Sequence, residues 1–334
     1  MKIAVFSARA YDQRFLGEAL GQNPQTQSCE WVYFQATLGP DTARLAQGCE
    51  AVCVFVNDCL DAATLQVLHA MGVGAILLRC AGFNNVDMTT AARLGFFVAR
   101  VPAYSPEAVA EHTLALVMTL NRHTHRAYNR VREGNFMLEG LLGVTLHGRT
   151  VGIVGTGRIG LATARIFRGL GCTVLGCDPF PSPEFESLGQ VVPLEVLLAE
   201  SDIVTLHCPL SDATHHLLNA RSLALMKPGA MMVNTSRGAL VDTHAVIHAL
   251  KSRHLGNLAI DVYEQESELF FQDHSGKIID DELFQRLLTF PNVLVTGHRG
   301  FFTVEALREI AQVTVSNLRC FVESTPCLNA VRAP

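Results

Sequence analysis

Charged residues are scarce in this sequence, and basic residues are not in excess. Asp, Glu, Lys and Arg make up 17% of the 334 residues, and the formal net charge is -5 at pH 7. A protein that holds a phosphodiester backbone needs a concentrated positive field. We therefore expect no nucleic-acid partner.

Long apolar runs are also missing. Residues 51–56 represent the longest of them, and they fall far short of the roughly 18 residues that indicate a membrane span. Met1 and Lys2 lead directly into a short strand-like run, so we expect neither a signal peptide nor a membrane anchor. The sequence thus favours a cytoplasmic protein with no membrane partner.

The ten cysteines and thirteen histidines form none of the common metal-binding motifs. No two cysteines are spaced as C-x-x-C, and no H-E-x-x-H is present. In a chain of this length with no expected signal peptide, the cysteines are interpreted as reduced thiols that serve as small core residues. We expect no metal site.

What the sequence does contain is an alternation of apolar runs with helix-like stretches. Such alternation predicts βαβ units around a parallel sheet, because a strand that is apolar on both faces needs helices on both sides. A first series predicts strands at 3–6, 31–34, 52–56, 76–79 and 96–101. A second series predicts six strands, at 151–154, 173–177, 203–207, 231–234, 258–262 and 293–296.

Two long helices are predicted outside these series. Ser105-Pro106-Glu107 suits a helix start, because serine caps, proline fits the first turn and an acid favours the positive end. We expect this helix to run into the polar stretch 121–132 and to link two domains. A last helix at 304–322 is expected to pack back onto the first domain.

The strongest local motif is Gly155-Thr156-Gly157-Arg158-Ile159-Gly160. It follows one predicted strand and opens a helix, and the next strand ends in Asp178, 18 residues after Gly160. This order is typical of dinucleotide binding: the glycines admit the pyrophosphate, the helix N-terminus supplies amides, and the acid accepts from ribose hydroxyls. With no arginine beside Asp178, NAD is favoured over NADP.

Three polar residues follow three strands of the second series, namely Arg237, Glu266 and His298. An arginine fork can clamp a carboxylate, and a histidine next to a carboxylate can act as a proton donor. Taken one at a time, each residue could equally have a structural role. Their convergence at the carboxyl edge of one sheet favours a site that reduces a keto acid.

Taken together, these motifs give a resemblance to the D-2-hydroxyacid dehydrogenase family, and within it to the fermentative D-lactate dehydrogenases of bacteria. The resemblance runs nearly end to end and is carried by residues 78–87, 101–106, 155–160, 178–180, 234–238, 261–266 and 296–298. It implies two doubly wound parallel-sheet α/β domains. A Rossmann NAD-binding domain, 102–299, would be inserted into a flavodoxin-like substrate domain, 1–101 plus 300–334.

The resemblance also implies roles for individual residues. Arg237 would bind substrate, Glu266 would support the acid/base, and His298 would transfer the proton. Besides the glycine motif and Asp178, the implied cofactor contacts are His207, Cys208, Pro209, Thr214, Thr235, Ser236, Arg237, Asp261 and His298. The implied substrate contacts are Ala81, Gly82, Tyr104, Arg237, His298 and Phe301. A homodimer or homotetramer is expected.

The substrate is left open between related acids. The long segment 267–283 resembles the D-lactate branch and favours pyruvate, whereas Arg299 would allow a larger or dianionic acid if it faced the substrate. Glyoxylate, hydroxypyruvate or a bulkier 2-keto acid is an alternative substrate. A different alternative is an NAD(H)-sensing corepressor-like protein that binds the cofactor without turnover.

Overall fold

The computed structural model describes residues 1–22, 26 and 28–331, and the chain divides into two compact units. Unit 1 comprises Met1–Ser105 and Phe302–Pro334, and unit 2 comprises Pro106–Phe301. The chain therefore leaves unit 1, builds unit 2 and returns. Both divisions lie a few residues further along the chain than the boundaries suggested by the sequence.

Each unit contains one parallel sheet. The strands of unit 1 are β1 (Lys2–Val5), β2 (Glu30–Tyr33), β3 (Ala51–Val54), β4 (Ala75–Leu78) and β5 (Phe97–Arg100). Those of unit 2 are β6 (Thr150–Val154), β7 (Thr173–Cys177), β8 (Gln190–Val191), β9 (Ile203–Leu206), β10 (Ala230–Asn234), β11 (Leu255–Ile260) and β12 (Val293–Val295).

The strand orders identify both sheets as doubly wound. In unit 1 the order is β2-β1-β3-β4-β5, which is the flavodoxin-like arrangement. In unit 2 it is β12-β11-β10-β9-β6-β7-β8, which is the Rossmann arrangement with one more strand at the edge. The predicted fold class is confirmed. The prediction of six strands in the second sheet was wrong, since the described sheet has seven. The strand that the prediction missed is β8, which has only two residues, both exposed, and no apolar run.

Eleven α-helices are present in the described part of the chain. They are α1 (Ala10–Gly21), α2 (Ala62–Ala70), α3 (Met88–Arg93), α4 (Pro106–Arg122), α5 (Thr124–Arg132), α6 (Arg158–Gly169), α7 (Leu194–Glu200), α8 (Ala220–Leu225), α9 (Thr243–Lys251), α10 (Glu282–Leu288) and α11 (Val304–Val322). Within the described residues, none of these helices is long and apolar enough to cross a membrane.

The two long helices differ in how well the sequence defined them. The last one, α11, has the predicted bounds; Thr303 caps it by accepting from Ala306 N at 3.2 Å, and the helix packs against α1 and β4. The helix after Ser105 was expected to run into the polar stretch 121–132. It enters this stretch, but α4 ends at Arg122, because His123 adopts the left-handed conformation (φ 49°) and separates α4 from α5.

The Rossmann order creates one special edge in unit 2. Strands β6 and β9 are neighbours, but the chain proceeds outward from them in opposite directions. At such a switch point the connections diverge and leave a crevice beyond the carboxyl ends of the strands, which is where open α/β sheets bind ligands. The loops after β6, β7, β9, β10, β11 and β12 all meet at this edge.

Close packing of α6 against the loop after β6 gives a testable prediction. A Cβ at Gly160 would collide with the carbonyl oxygen of Gly155, whereas a Cβ at Gly169, at the other end of the same helix, would meet nothing within 4 Å. We expect Gly160→Ala to lower the free energy of unfolding by about 1–3 kcal/mol through this overlap. The control Gly169→Ala should raise it by about 0.5–1 kcal/mol, because alanine favours helix. Denaturant unfolding of both variants checks the prediction, and equal effects would contradict it.

Candidate active site

The glycine motif forms the turn between β6 and α6, and each of its three positions is occupied by glycine for a different physical reason. Gly155 has φ +95°, and a Cβ there would lie 2.5 Å from the amide nitrogen of Cys208. Gly157 is the N-cap of α6, and a Cβ there would meet no atom within 4 Å. Gly160 allows the helix to approach the turn. The result is a helix N-terminus whose free amides face an open surface, as binding of a pyrophosphate requires.

Asp178 lies directly after β7 and faces the same turn. Its Oδ2 accepts from Thr156 N at 2.7 Å, and its Oδ1 accepts from Phe180 N at 2.9 Å. Each carboxylate oxygen keeps a further lone pair for a ribose hydroxyl. The half-buried carboxylate would repel a 2′-phosphate. The geometry fits NAD better than NADP.

The loop after β9 supplies the other wall of this turn. Thr214 closes the loop, because its Oγ1 donates to Pro209 O at 2.8 Å and accepts from Ser211 N at 2.8 Å. Both ring nitrogens of His207 are buried and make no hydrogen bond within the described chain. Burial lowers the pKa of His207 to about 3, so the ring is neutral at pH 7. A buried polar ring without a partner indicates a place where a ligand completes the site.

Arg237 is held in a tight turn after β10. The carboxamide of Asn234 bridges this turn, accepting from Ser236 N at 3.0 Å and donating to Arg237 O at 2.8 Å. Next in the chain, Gly238 must be glycine, because a Cβ would collide with the backbone of Tyr263. One guanidinium nitrogen of Arg237, Nη1, donates to Ser236 O at 2.7 Å. The rest of the half-buried fork is available for a carboxylate.

The turn also carries the other two polar residues predicted there. Ser236 Oγ donates to Cys208 O at 2.7 Å, which ties the loops after β9 and β10 together. Thr235 Oγ1 lies 3.0 Å from Thr113 Oγ1 of α4. Both contacts lie within unit 2, at the carboxyl edge of its sheet.

His298 and Glu266 form a hydrogen-bonded pair. The distance between His298 Nδ1 and Glu266 Oε1 is 2.7 Å, and Glu266 Oε2 accepts from Tyr263 N at 2.9 Å. Because a carboxylate can only accept, Nδ1 carries the proton, and Nε2 is the nitrogen left for other chemistry. The ring of Phe271 lies 5.7 Å from the imidazole, centroid to centroid.

A buried carboxylate, Asp261, organises the segment that carries His298. Its Oδ1 accepts from Thr296 Oγ1 at 2.6 Å and from Arg299 N at 2.9 Å, and its Oδ2 accepts from Gly300 N at 2.8 Å. His112 Nε2 of α4 lies 3.3 Å from Oδ1. Burial alone would raise the pKa of Asp261, but the hydrogen bonds from His112, Thr296 and Arg299 outweigh it and hold the pKa at about 2.

The structure therefore brings Arg237, Glu266, His298 and Asp261 to one sheet edge in unit 2. The substrate contacts implied by the resemblance do not all lie in that unit. Ala81, Gly82 and Tyr104 belong to unit 1, where Arg100 Nη1 donates to Ala81 O at 2.8 Å. Phe301 is the last residue of unit 2 and is buried.

Known proteins share both the sequence and the fold that build this edge. Residues 114–300 match the model of the NAD-binding domain of D-isomer specific 2-hydroxyacid dehydrogenases. The chain belongs to this family. It is 58% identical to 2-hydroxyacid dehydrogenase A of Aspergillus oryzae over 331 residues, covering 99% of this chain and 95% of that one. It is 56% identical to the D-lactate dehydrogenase kk1H of Curvularia clavata, with the same coverage.

A solved structure gives the same assignment. The pyruvate reductase of Chlamydomonas reinhardtii superimposes with a TM-score of 0.92 at 43% identity and covers 98% of each chain. The resemblance to D-2-hydroxyacid dehydrogenases is thus confirmed, and so is NAD as the cofactor of the family domain. The protein is an NAD-dependent oxidoreductase of this family.

Several residues that build the dehydrogenase site gave no signal in the sequence. His112 lies in the middle of α4, between Glu111 and Thr113, and nothing nearby in the chain connects it with Asp261. Nothing in the sequence around Thr113, on the same helix, indicates its contact with Thr235. Asn234 could have been noticed, because an asparagine that ends a buried strand is placed to bridge the following turn.

The depressed pKa of Asp261 predicts a pH dependence of stability. A carboxyl whose pKa is lower in the folded protein than in the unfolded chain stabilises the fold above the unfolded value of about 4. That contribution, about 2 kcal/mol, is lost as the pH falls from about 4 towards 2. We expect Asp261→Asn to lose less stability over this range than the wild type.

Thermal unfolding measured at pH values from 5 to about 2 checks this expectation. The matched control is Asp212→Asn, which changes an exposed carboxyl in the same unit and should follow the wild type. If the Asp261 and Asp212 variants have parallel acid profiles, the carboxylate is not the buried anchor described above.

Proposed function

We propose that this dehydrogenase reduces pyruvate to D-lactate with NADH. The observation that carries the proposal is the Glu266–His298 pair, whose 2.7 Å hydrogen bond fixes the proton on Nδ1 and leaves Nε2 for proton transfer. The names of two similar proteins support the choice of substrate: one is a D-lactate dehydrogenase, and the other is a pyruvate reductase.

In this proposal Arg237 binds the substrate carboxylate through the part of its guanidinium that the Ser236 contact leaves available. The protonated His298 gives its Nε2 proton to the carbonyl oxygen as that oxygen gains charge. Glu266 then faces an imidazole that has become neutral but keeps its Nδ1 proton and its orientation. In the opposite direction, His298 takes the hydroxyl proton of the 2-hydroxy acid.

NADH, when bound, supplies the hydride. The residues proposed to hold it are those of the glycine turn and Asp178, together with His207, Cys208, Pro209 and Thr214 after β9 and with Thr235 and Ser236 after β10. The open N-terminus of α6 would receive the pyrophosphate, and Asp178 would accept from the ribose. We propose that unit 2 is the NAD-binding domain and that unit 1 is the substrate domain, with Ala81, Gly82 and Tyr104 as substrate contacts.

Arg299 does not require a larger substrate. Its side chain is exposed, and its contribution to the site is its backbone amide, which donates to Asp261 Oδ1 at 2.9 Å. The side chain that lies next to the imidazole of His298 is the aromatic ring of Phe271. A small 2-keto acid whose side group is apolar, such as the methyl group of pyruvate, suits this environment better than a dianion.

Oxidation of NADH with a panel of 2-keto acids tests the proposal, with NADPH in parallel and the chirality of the product determined. We expect turnover with pyruvate and NADH and a D product. In His298→Ala, turnover should fall about 10²-fold or more through loss of the general acid, while NADH still binds. Binding of NADH can be followed by fluorescence.

The matched control for that variant is His147→Gln, which alters an exposed histidine of the same unit and should keep full turnover. Undiminished turnover in His298→Ala would remove His298 from the mechanism. Tight NADH binding by the wild type without turnover of any 2-keto acid would instead favour a cofactor-sensing role.

We also propose that the chain assembles as a homodimer, or as a homotetramer of such dimers, through the segment that follows α5. Helix α5 has no buried residue, and the segment exposes several large apolar side chains: Phe136, Met137, Leu138 and Leu142 are 62–91% exposed. Asn121 fixes the end of the segment, accepting from Val144 N at 2.9 Å and donating to Val144 O at 2.8 Å. Fixed, exposed apolar groups favour a protein partner, and a second copy satisfies both surfaces at once.

The double substitution Leu138→Ser and Leu142→Ser should convert the assembly to monomers, because it removes apolar groups from the proposed contact. Light scattering coupled to size exclusion measures the mass. Phe180→Ser is the control, since Phe180 is 89% exposed on a different loop of unit 2. A monomeric wild type would contradict the proposal.

A cytoplasmic location is proposed on the state of the cysteines. All ten lie in the described part of the chain, and all are free thiols. Reduced thiols in this number are typical of a reducing compartment.

A further inference from the structure

Two histidines and a glutamate meet on the surface of unit 2, outside the pair that is proposed to transfer the proton. His215 and His216 lie in the loop between β9 and α8, and Glu264 lies in the segment after β11. One possible ligand atom from each of the three lies within 4.8 Å of the others. They are the only group of three or more such residues found among the described residues.

The backbone at His216 explains how two consecutive histidines come to share one place. His216 has φ 49°, in the left-handed region that non-glycine residues rarely occupy. The two imidazole rings consequently stack, with centroids 4.0 Å apart and an angle of 24° between them. Two main-chain contacts hold this turn: His216 N donates to Ala239 O at 2.8 Å, and His216 O accepts from Asn219 Nδ2 at 2.9 Å.

Glu264 is held from both sides. Its Oε1 lies 2.6 Å from His216 Nε2, and its Oε2 accepts from Thr243 Oγ1 at 3.1 Å. A hydroxyl on the second oxygen is the kind of outer contact that orients a ligating carboxylate. The side chains of His216 and Glu264 are 33% and 28% exposed, so solvent and ions reach the cluster directly.

We propose that His215, His216 and Glu264 bind a divalent transition-metal ion of the zinc class. Two imidazole nitrogens and one carboxylate oxygen are ligands that such ions prefer, whereas calcium and magnesium prefer oxygen ligands alone. Binding separates His216 Nε2 from Glu264 Oε1 to roughly 3.3 Å, the spacing that bonds of about 2 Å in tetrahedral geometry require. The metal replaces the hydrogen on Nε2, and the neutral imidazole then carries its proton on Nδ1. Water completes the coordination.

The position of this site connects it with the rest of the sheet edge. Glu264 precedes Glu266 by two residues, and the backbone of Tyr263 and Glu264 is packed against Gly238, which follows Arg237. A metal at the site links the loop after β9 to this segment. The proposed metal site takes no part in the proposed reaction, so a test of metal binding does not depend on whether the proposed reaction is correct.

Titration with Co²⁺, followed by its visible absorption bands, tests the proposal on the full-length protein; calorimetry with Zn²⁺ gives the affinity. We expect saturable binding of one equivalent per chain with a low-coordinate cobalt spectrum. Glu264→Gln, His215→Ala and the milder His215→Gln should each weaken binding at least tenfold, because each removes one of three ligands. Thermal unfolding and NADH binding check that the variants are folded.

The matched control is His248→Gln. His244 and His248 are exposed one turn apart on α9, so they are the alternative place where a surface histidine pair could hold the ion. This variant should bind Co²⁺ as the wild type does. The absence of saturable binding in the wild type, unchanged affinity in both His215 variants, or loss of binding in His248→Gln would each overturn the proposal.

Discussion

The site of this dehydrogenase depends on one buried charge, the carboxylate of Asp261. Removing a carboxylate from water is expensive, and the cost is offset only if every lone pair finds a donor. Here the donors come from α4, from the residue that follows β12 and from the two amides that follow His298. The hydrogen bonds that the carboxylate accepts therefore fix the chain on both sides of His298. They also hold the backbone of His298 in its left-handed conformation (φ 54°).

Much of the fold was predictable because its signals are local. Strands buried on both faces must be continuously apolar, and a helix that begins at a phosphate-binding turn needs glycines at fixed positions. The positions of Arg237, Glu266 and His298 after three strands were enough to place them together, since parallel strands present their carboxyl ends on one edge. What the sequence predicted well is what depends on strand order and spacing.

The remainder could not be predicted, because it depends on side chains that meet only after folding. Nothing in α4 marks His112 as the partner of a carboxylate that is 149 residues away. The histidine and glutamate cluster at Glu264 was likewise not expected, since its ligands follow no zinc motif and depend on one unusual φ angle at His216. The break between α4 and α5 could not be predicted either, because a polar helical sequence does not show which residue adopts the left-handed conformation, here His123.

The way in which the segment after His298 is anchored has a consequence for how the family can diversify. Position 299 is held by its peptide N–H, which every residue except proline possesses, while its side chain is exposed. A change of side chain at this position therefore leaves the hydrogen bond between His298 and Glu266 intact. A lineage can exchange the arginine for a neutral or an acidic side chain, and so adjust the field around the site, without rebuilding the loop that carries the histidine.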